Sequence, residues 1–434
     1  MSAPSLKNLL LSACAGAALL CGAVGAAQAA TTTDYGGGSS LIATVIGYLF
    51  NVETQVNDPA IAFSYTSDGS GQGQNGFLNN DPSQHSLPVG TTIAFGASDA
   101  TLSAAQITAW NNSTGSSSST SGVGKAQGGP LIQVPSVGTP ITIPFRYTGH
   151  ATNGSLQFTD DQLCGIFSSK ITLWSDPLLS GVITSGVGTL TGTINVAVRS
   201  DSSGTTFLLT QHLAAVCNST NSNATWLSHL AATKTFQATL FPGGLPANFT
   251  AVSGSSGVQG QVAGTNKSIG YLSPDYTLIA SANTATPGFP AVAQVKGQDG
   301  NYYLPSVSNT SNALGTAAVP TDPTNPAQYV PAVPKPSTGY PIVGYTTLEM
   351  AQCYANSNVG TGMYEFLNNL YTQPAMASLI VQNGFVPLQG TPLANYIVDH
   401  LVNGDSADVP PLDIQDPNVC QSAGASGPGT YVGR

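Results

Sequence analysis

The chain has 434 residues, enough for two or three domains with substantial cores, yet only 7% of them are charged, against roughly 25% in an ordinary soluble protein. With 41% hydrophobic residues, it is read as a packed protein whose surface is covered by Ser, Thr, Asn, Gln and Gly rather than by charge. Ten Lys+Arg against twenty Asp+Glu leave a formal charge of −10, which offers no basic stripe for nucleic acid and repels anions at long range. Any anion site must therefore work locally, through backbone N–H groups, hydroxyls and a rare arginine.

The N-terminus reads as an export signal over 1–29: Lys7, an apolar run from Leu9 to about Gly25, then Ala27-Gln28-Ala29 as a small-x-small cleavage site. A retained membrane anchor is the competing reading, weakened by the Ala and Gly in the run and by that processing pattern. Lipidation is not expected, because too little apolar sequence precedes Leu11-Ser12-Ala13-Cys14 and Leu20 is too large a neighbour for Cys21. The mature chain then reaches Tyr35-Gly36-Gly37-Gly38, with Ser40 and Leu41 at the start of a helix expected over Ile42–Phe50. A glycine-rich turn before a helix lets backbone N–H groups face a ligand; a flexible processed terminus is the alternative.

A strand is expected over Ala60–Thr66. Gly71, Gly73 and Gly76 after it satisfy G-x-G-x-x-G, a weak dinucleotide signal. The same physics serves an inorganic anion, with Ser70 and a helix N-terminus as donors, and no clear acidic ribose partner follows at the expected spacing. Thr92–Ala100 is a further strand with the polar tip Ser98-Asp99, followed by a helix over Leu102–Trp110. Asp99 either caps that helix or accepts a hydrogen bond from an oxyanion that still holds a proton, such as phosphate, while rejecting one that does not, such as sulfate. Residues 112–124 read as a solvated loop. Leu131–Phe145 is long, apolar and punctuated by Pro and Gly, as a strand crossing between two lobes would be. Thr159 and Gln162 form a capping box, leading to Lys170–Asp176.

The organising stretch is Thr193–Thr206, strand-like in its first half, followed by Phe207, Leu208, Leu209, Leu213 and Val216 at near-helical spacing. If a helix opens near Ser203, Gly204 allows close backbone approach, Ser203 and Thr205 add hydroxyl donors, and Arg199 offers a fork suited to a tetraoxyanion. The alternative is a plain surface ion pair of Arg199 with Asp201. The chain has only three arginines, Arg146, Arg199 and Arg434, and one of them at a strand-to-helix turn argues for a site. Beyond it, Ser268–Pro274 reads as a strand and return crossing, Thr284–Pro341 as mostly loop, Pro341–Thr346 as a strand, and Met363–Leu370, Ala375–Val381 and Leu393–Leu401 as helices. Asp405–Arg434 is loop-like.

Cys164, Cys217, Cys353 and Cys420 remain after the export signal, which suggests two disulfides with three possible connectivities; sequence proximity favours Cys164–Cys217 and Cys353–Cys420. The histidines at 85, 150, 212, 229 and 400 show no metal-ligand spacing, and there is no G-x-S-x-G elbow. Neither metal nor cofactor is expected.

Taken together, Gly36–Gly38, Gly69-Ser-Gly-Gln-Gly73, Gly96-Ala-Ser-Asp99, the Leu131–Thr139 crossing, Gln162–Trp174, Arg199–Thr206 and Ser268–Tyr271 resemble, in order, the PstS-like phosphate-binding proteins of bacterial ABC importers, most closely the DING subset. The resemblance implies an α/β periplasmic-binding-protein fold of type II, two lobes with the ligand in the cleft between them. The expected lobes are 33–138 with 277–434, and 139–276. It implies phosphate ligands at Ser40, Leu41, Ser70, Asp99, Arg199, Ser203, Gly204 and Thr205, with Asp201 orienting Arg199. The chain departs from the family in having Tyr35 where the DING signature has its Ile-Asn, and Ser40 where the family has threonine. The expected function is high-affinity capture of inorganic phosphate by a periplasmic, monomeric, non-enzymatic protein that delivers it to an ABC permease in the inner membrane. The alternative is a secreted protein that scavenges phosphate outside the cell or acts on phosphate esters as a phosphatase.

Overall fold

In the computed structural model, the described residues are 32–57, 60–113, 124–186, 188–283, 288–404, 408, 411–420, 431 and 433. The expected export segment 1–29, with Cys14 and Cys21, lies outside them, as do most of the 112–124 stretch and much of the C-terminal 405–434 stretch.

The strands are β1 Thr32–Gly38, β2 Ile61–Ser67, β3 Ile93–Ser98, β4 Leu131–Pro140, β5 Pro144–Arg146, β6 Gln157–Phe158, β7 Asn195–Arg199, β8 Phe249–Val252, β9 Ser268–Ile269, β10 Ala291–Val292, β11 Gln294–Lys296, β12 Tyr302–Tyr303 and β13 Val343–Ala351. The helices are α1 Ala43–Val52, α2 Ser70–Asn79, α3 Ala104–Asn112, α4 Gly124–Gly128, α5 Asp160–Phe167, α6 Gly204–Val216, α7 Ala224–His229, α8 Phe236–Leu240, α9 Gly254–Gly264, α10 Val307–Leu314, α11 Ser357–Thr372, α12 Pro374–Gln382 and α13 Pro392–Leu401. Two lobes form on two sheets, ordered β2-β1-β3-β13-β4 and β10-β5-β9-β7-β8, and a small β12-β11-β6 sheet lies beside the second.

In the first sheet β1 pairs in parallel with β2 and β3, so helical crossovers must join them; α1 and α2 supply these. Every residue of β3 is buried, the continuous apolar run of a strand covered on both faces. α1 covers one face with Val45, Ile46, Leu49 and Phe50, and Phe50 stacks on Phe63 with ring centroids 4.6 Å apart. In the second sheet β7 runs parallel to β8 and β9, above buried Phe167, Phe236 and Tyr271.

Two segments cross between the lobes and meet. β4 pairs with β13 in the first sheet, and the chain continues through Ile141–Ile143 into β5 of the second. Midway, Thr142 and Leu272 exchange backbone hydrogen bonds of 2.8 and 3.1 Å, so the outgoing and returning strands clasp each other at the hinge. β10 joins β5 in the second sheet, beyond residue 276, where the sequence reading ends that lobe.

One expectation is refined and one corrected. The 284–341 stretch is mostly loop among its described residues, as expected, with short elements inside it. It contributes β10, β11, β12 and the helix α10, where Ser306 caps the chain by accepting from Asn309 N–H and Thr310, Ala313 and Leu314 are buried; its Ser/Asn-rich sequence hides that face. The strand expected to stop at Thr346 continues to Ala351, because its polar residues Thr347 and Glu349 are paired inside rather than exposed. The disulfides are Cys164–Cys217, tying α5 to the residue after α6, and Cys353–Cys420, tying the chain after β13 to the C-terminal segment.

Candidate functional site

Four strand-to-helix turns face one another where the lobes meet. β1 delivers Ser39, Ser40 and Leu41 at the mouth of α1; β2 delivers Ser70, the first residue of α2; β7 delivers Arg199 and then the N-terminus of α6; β8 delivers Gly254 and Ser255 at the start of α9. The tip of β3 adds Asp99. Such turns leave first-turn N–H groups without intrahelical partners and with a partial positive charge.

Every sequence-predicted position falls within this one buried patch. Ser40, Leu41, Ser70, Asp99, Arg199, Ser203 and Thr205 are all buried, as is Gly204. Arg199 donates through Nε to Asp201 Oδ1 at 2.7 Å and through Nη2 to Asp201 Oδ2, a bidentate fork. The same guanidinium reaches Ser40 Oγ on the other lobe at 2.9 Å and Thr205 Oγ1 at 3.4 Å. Ser70 Oγ accepts from Gly204 N–H at 3.0 Å and from Asp99 N–H at 3.2 Å. Ser203 caps α6, its Oγ accepting from Thr206 N–H at 3.2 Å. Leu41 N–H donates to Ser39 Oγ at 3.1 Å. Asp99 does not cap α3; Ser103 does, in a capping box with Gln106. Nor do the glycines of α2 form a dinucleotide loop. They allow close packing: a Cβ on Gly71 would meet Ser202 Oγ at 2.2 Å, on Gly73 the Ala97 carbonyl oxygen at 2.5 Å, and on Gly76 His85 Nε2 at 2.3 Å.

A family model described as a PBP superfamily domain matches residues 25–371. The chain belongs to the PBP superfamily. Within it, the chain falls among the DING-like phosphate-binding proteins. It is 36% identical over 417 residues to a Pseudomonas aeruginosa protein named alkaline phosphatase L, covering 94% of this chain and 97% of that one. It is 31% identical to a phosphate-binding protein of an unknown prokaryotic organism, over 83% of this chain and 92% of the relative. Among solved structures it resembles a high-affinity periplasmic phosphate-binding protein (PfluDING) bound with phosphate, with a TM-score of 0.72, 32% identity, and coverage of 91% of this chain and 99% of that one. The phosphate-binding protein of Stenotrophomonas maltophilia is similar too, with a TM-score of 0.70, 31% identity, and 92% and 99% covered.

In this PBP-superfamily chain the electrostatics of the patch are unusual for an anion site. Arg199 is already neutralised by Asp201, whose carboxyl is held below the usual range: burial works to raise it, but the hydrogen bonds and charge of Arg199 outweigh that. Asp99 is pushed up to about 6 by burial, opposed by hydrogen bonds from Ser39 and Thr346 and by the charge of Arg199. The patch therefore offers oriented dipoles rather than net positive charge.

Several residues here escaped the sequence reading. Ser39 Oγ lies 2.7 and 2.8 Å from the two Asp99 oxygens, and Thr346 Oγ1 donates to Oδ1 at 2.8 Å. Ser255 N–H donates to Ser40 Oγ at 3.2 Å, and Gly254 N–H to Asp201 Oδ1 at 3.0 Å. Tyr271 OH accepts from Arg199 N–H at 2.9 Å and pairs with Thr206 Oγ1 at 2.7 Å. One signal was available: Ser253-Gly-Ser-Ser-Gly257 after a strand repeats the hydroxyl and glycine pattern of the other turns.

Proposed function

We propose that this protein captures inorganic phosphate with high affinity in the cleft between its lobes and hands it to an ABC importer in the inner membrane. Ser40, Leu41, Ser70 and Asp99 approach the anion from the first lobe, and Arg199, Ser203, Gly204 and Thr205 from the second, with Asp201 fixing Arg199. The observation behind this is the convergence on one buried point, from both lobes, of the Arg199 fork, the Gly204 and Asp99 N–H groups and the serine hydroxyls. Asp99 sets the specificity: an ionised carboxylate accepts a hydrogen bond from protonated phosphate and repels fully deprotonated sulfate. The lobes are assigned as 33–138 with 277–434 and as 139–276, with β10 and the small sheet beside it moved to the second. The protein works as a monomer in the periplasm. Among the described residues no helix is long and apolar enough to cross a membrane.

A second reading, hydrolysis of phosphate esters, has in its favour the name of the Pseudomonas aeruginosa relative. A hydroxyl needs an adjacent base to become a nucleophile. Ser40, Ser70, Ser203 and Thr205 are bonded to Arg199, to Ser255 or to backbone N–H groups, whereas Ser39 and Thr346 are bonded to the Asp99 carboxylate. Binding is therefore the reading adopted. Calorimetric titration with phosphate, sulfate and a phosphate monoester, run beside a chromogenic ester assay, tests both. One phosphate bound without sulfate competition is the expected result; ester turnover abolished by Ser39→Ala would put hydrolysis in its place.

A further inference from the structure

Outside the anion patch, one charged side chain spans the gap between the lobes. Lys234 lies between α7 and α8 on the second lobe and is only partly exposed. Its Nζ donates to Gln74 Oε1 on α2 of the first lobe at 2.5 Å. Gln74 is fully buried and fixed from behind, its Nε2 donating to Ser98 Oγ at 3.1 Å and to the Ala100 carbonyl at 2.6 Å. Those acceptors flank Asp99. Nearby, Glu349 of β13, also fully buried, accepts from Gln133 and from Thr347 Oγ1, each at 2.9 Å; burial raises its carboxyl to about 7, against those hydrogen bonds and the charge of Lys234.

The backbone of Lys234 is tied to the anion turn as directly as its side chain is tied to the other lobe. Its carbonyl accepts from Ser203 N–H at 2.9 Å, and the preceding Thr233 is bound to Thr210 on α6, Thr233 N–H donating to Thr210 Oγ1 at 2.9 Å. One residue thus holds the start of α6 with its main chain and the Gln74–Glu349 layer with its ammonium. Its Nζ is hydrogen-bonded to Gln74 rather than to any residue assigned to phosphate. A surface lysine reaching solvent would gain little from its charge; one held between the lobes on a buried amide, in the field of a buried carboxyl and in a chain with only ten Lys+Arg, gains more from it.

We propose that Lys234 is a latch across the cleft: its ammonium, engaged by Gln74 of the other lobe, holds the lobes together and sets how long a bound anion stays. It is a positioning residue, acting through lobe closure rather than by touching the ligand. The inference rests on the phosphate-binding reading above.

The test is rapid-mixing measurement of inorganic phosphate association and release on the full chain. Lys234→Met is expected to raise the release rate about tenfold, a change of about 1.4 kcal/mol, with the association rate nearly unchanged. Lys234→Arg, which keeps the charge and the reach, is expected to restore slow release. Measured near pH 9, where Glu349 is ionised, Glu349→Gln keeps the hydrogen bonds but not the charge and should speed release as well; combined with Lys234→Met it should add less than the two single effects together. If phosphate binds but Lys234→Met releases it at the wild-type rate, or slows only association, the latch is overturned while the binding reading stands. If the wild-type chain binds no phosphate, the binding reading falls and the latch with it. A thermal melt of each variant separates loss of the latch from loss of fold.

Discussion

Gly204 donates its N–H to Ser70 Oγ at 3.0 Å across the boundary between the lobes, and a Cβ on Gly204 would lie 2.4 Å from that oxygen and 2.6 Å from both the backbone nitrogen and the Cβ of Asp99. The two lobes approach here as closely as backbone permits. Glycine is required by contact rather than by conformation. Gly204→Ala should therefore hold the lobes apart at this point, an overpacking cost of about 1–3 kcal/mol that corresponds to roughly a 5- to 150-fold loss of phosphate affinity. Alanine favours helix by about 1 kcal/mol over glycine, so the thermal midpoint should hold or rise. Affinity lost together with the fold would mean that the position is structural instead.

Arg199 and Asp201 predict a different pattern. Arg199→Ala removes the fork and leaves the largely buried Asp201 carboxylate uncompensated, a cost of about 3–5 kcal/mol in stability for a broken buried pair. Adding Asp201→Ala removes the orphaned charge. Stability should recover in the double variant while phosphate affinity stays lost, as chemical denaturation and calorimetry on both variants can check. Recovery of binding in the double variant would show that Arg199 makes no contact with the anion.

Asp99 ties selectivity to pH. Its carboxyl is raised by burial to about 6, so it is ionised near pH 8 and protonated near pH 5. While ionised it accepts from protonated phosphate and repels sulfate; once protonated it donates instead, and the repulsion is gone. Sulfate should fail to compete near pH 8 and begin to compete near pH 5. In Asp99→Asn, sulfate should compete at both. Competition titrations at the two pH values decide it, and a selectivity that ignores pH in the wild-type protein would remove Asp99 from the role.

The β1, β2 and β7 turns were legible because each combined a strand-like run with a glycine and a hydroxyl before a helix, a local pattern that fixes where orphan N–H groups appear. Arg199 stood out because a rare arginine sits at a strand-to-helix turn. What stayed hidden is set by tertiary pairing. Thr346 and Ser39 read as ordinary strand and turn residues until β13 lies beside β3, in the antiparallel register Thr347↔Ser98, and brings Thr346 to Asp99. Lys234, far from any motif, becomes informative only once the lobes face each other. The α10 helix was missed because its buried positions, Thr310, Ala313 and Leu314, include little that hydropathy can register.

Asp34 on β1 yields a prediction about stability rather than binding. It is fully buried, neither carboxylate oxygen has a hydrogen-bond partner among the described residues, and Oδ2 lies 2.7 Å from where a Cβ on Gly362 of α11 would be. Burial raises its carboxyl to about 8. In the unfolded chain it loses its proton near 3.8, so between these values the unfolded state binds fewer protons and stability falls as pH rises. Glu349 and Asp275, each raised by burial to about 7, push in the same direction. Asp34→Asn cannot ionise. It should match the wild-type protein near pH 4 and exceed it near pH 9 by an amount on the order of a few kcal/mol, as denaturant unfolding across that range would measure. Parallel pH profiles for the two proteins would mean that Asp34 finds a partner, or water, once it is charged.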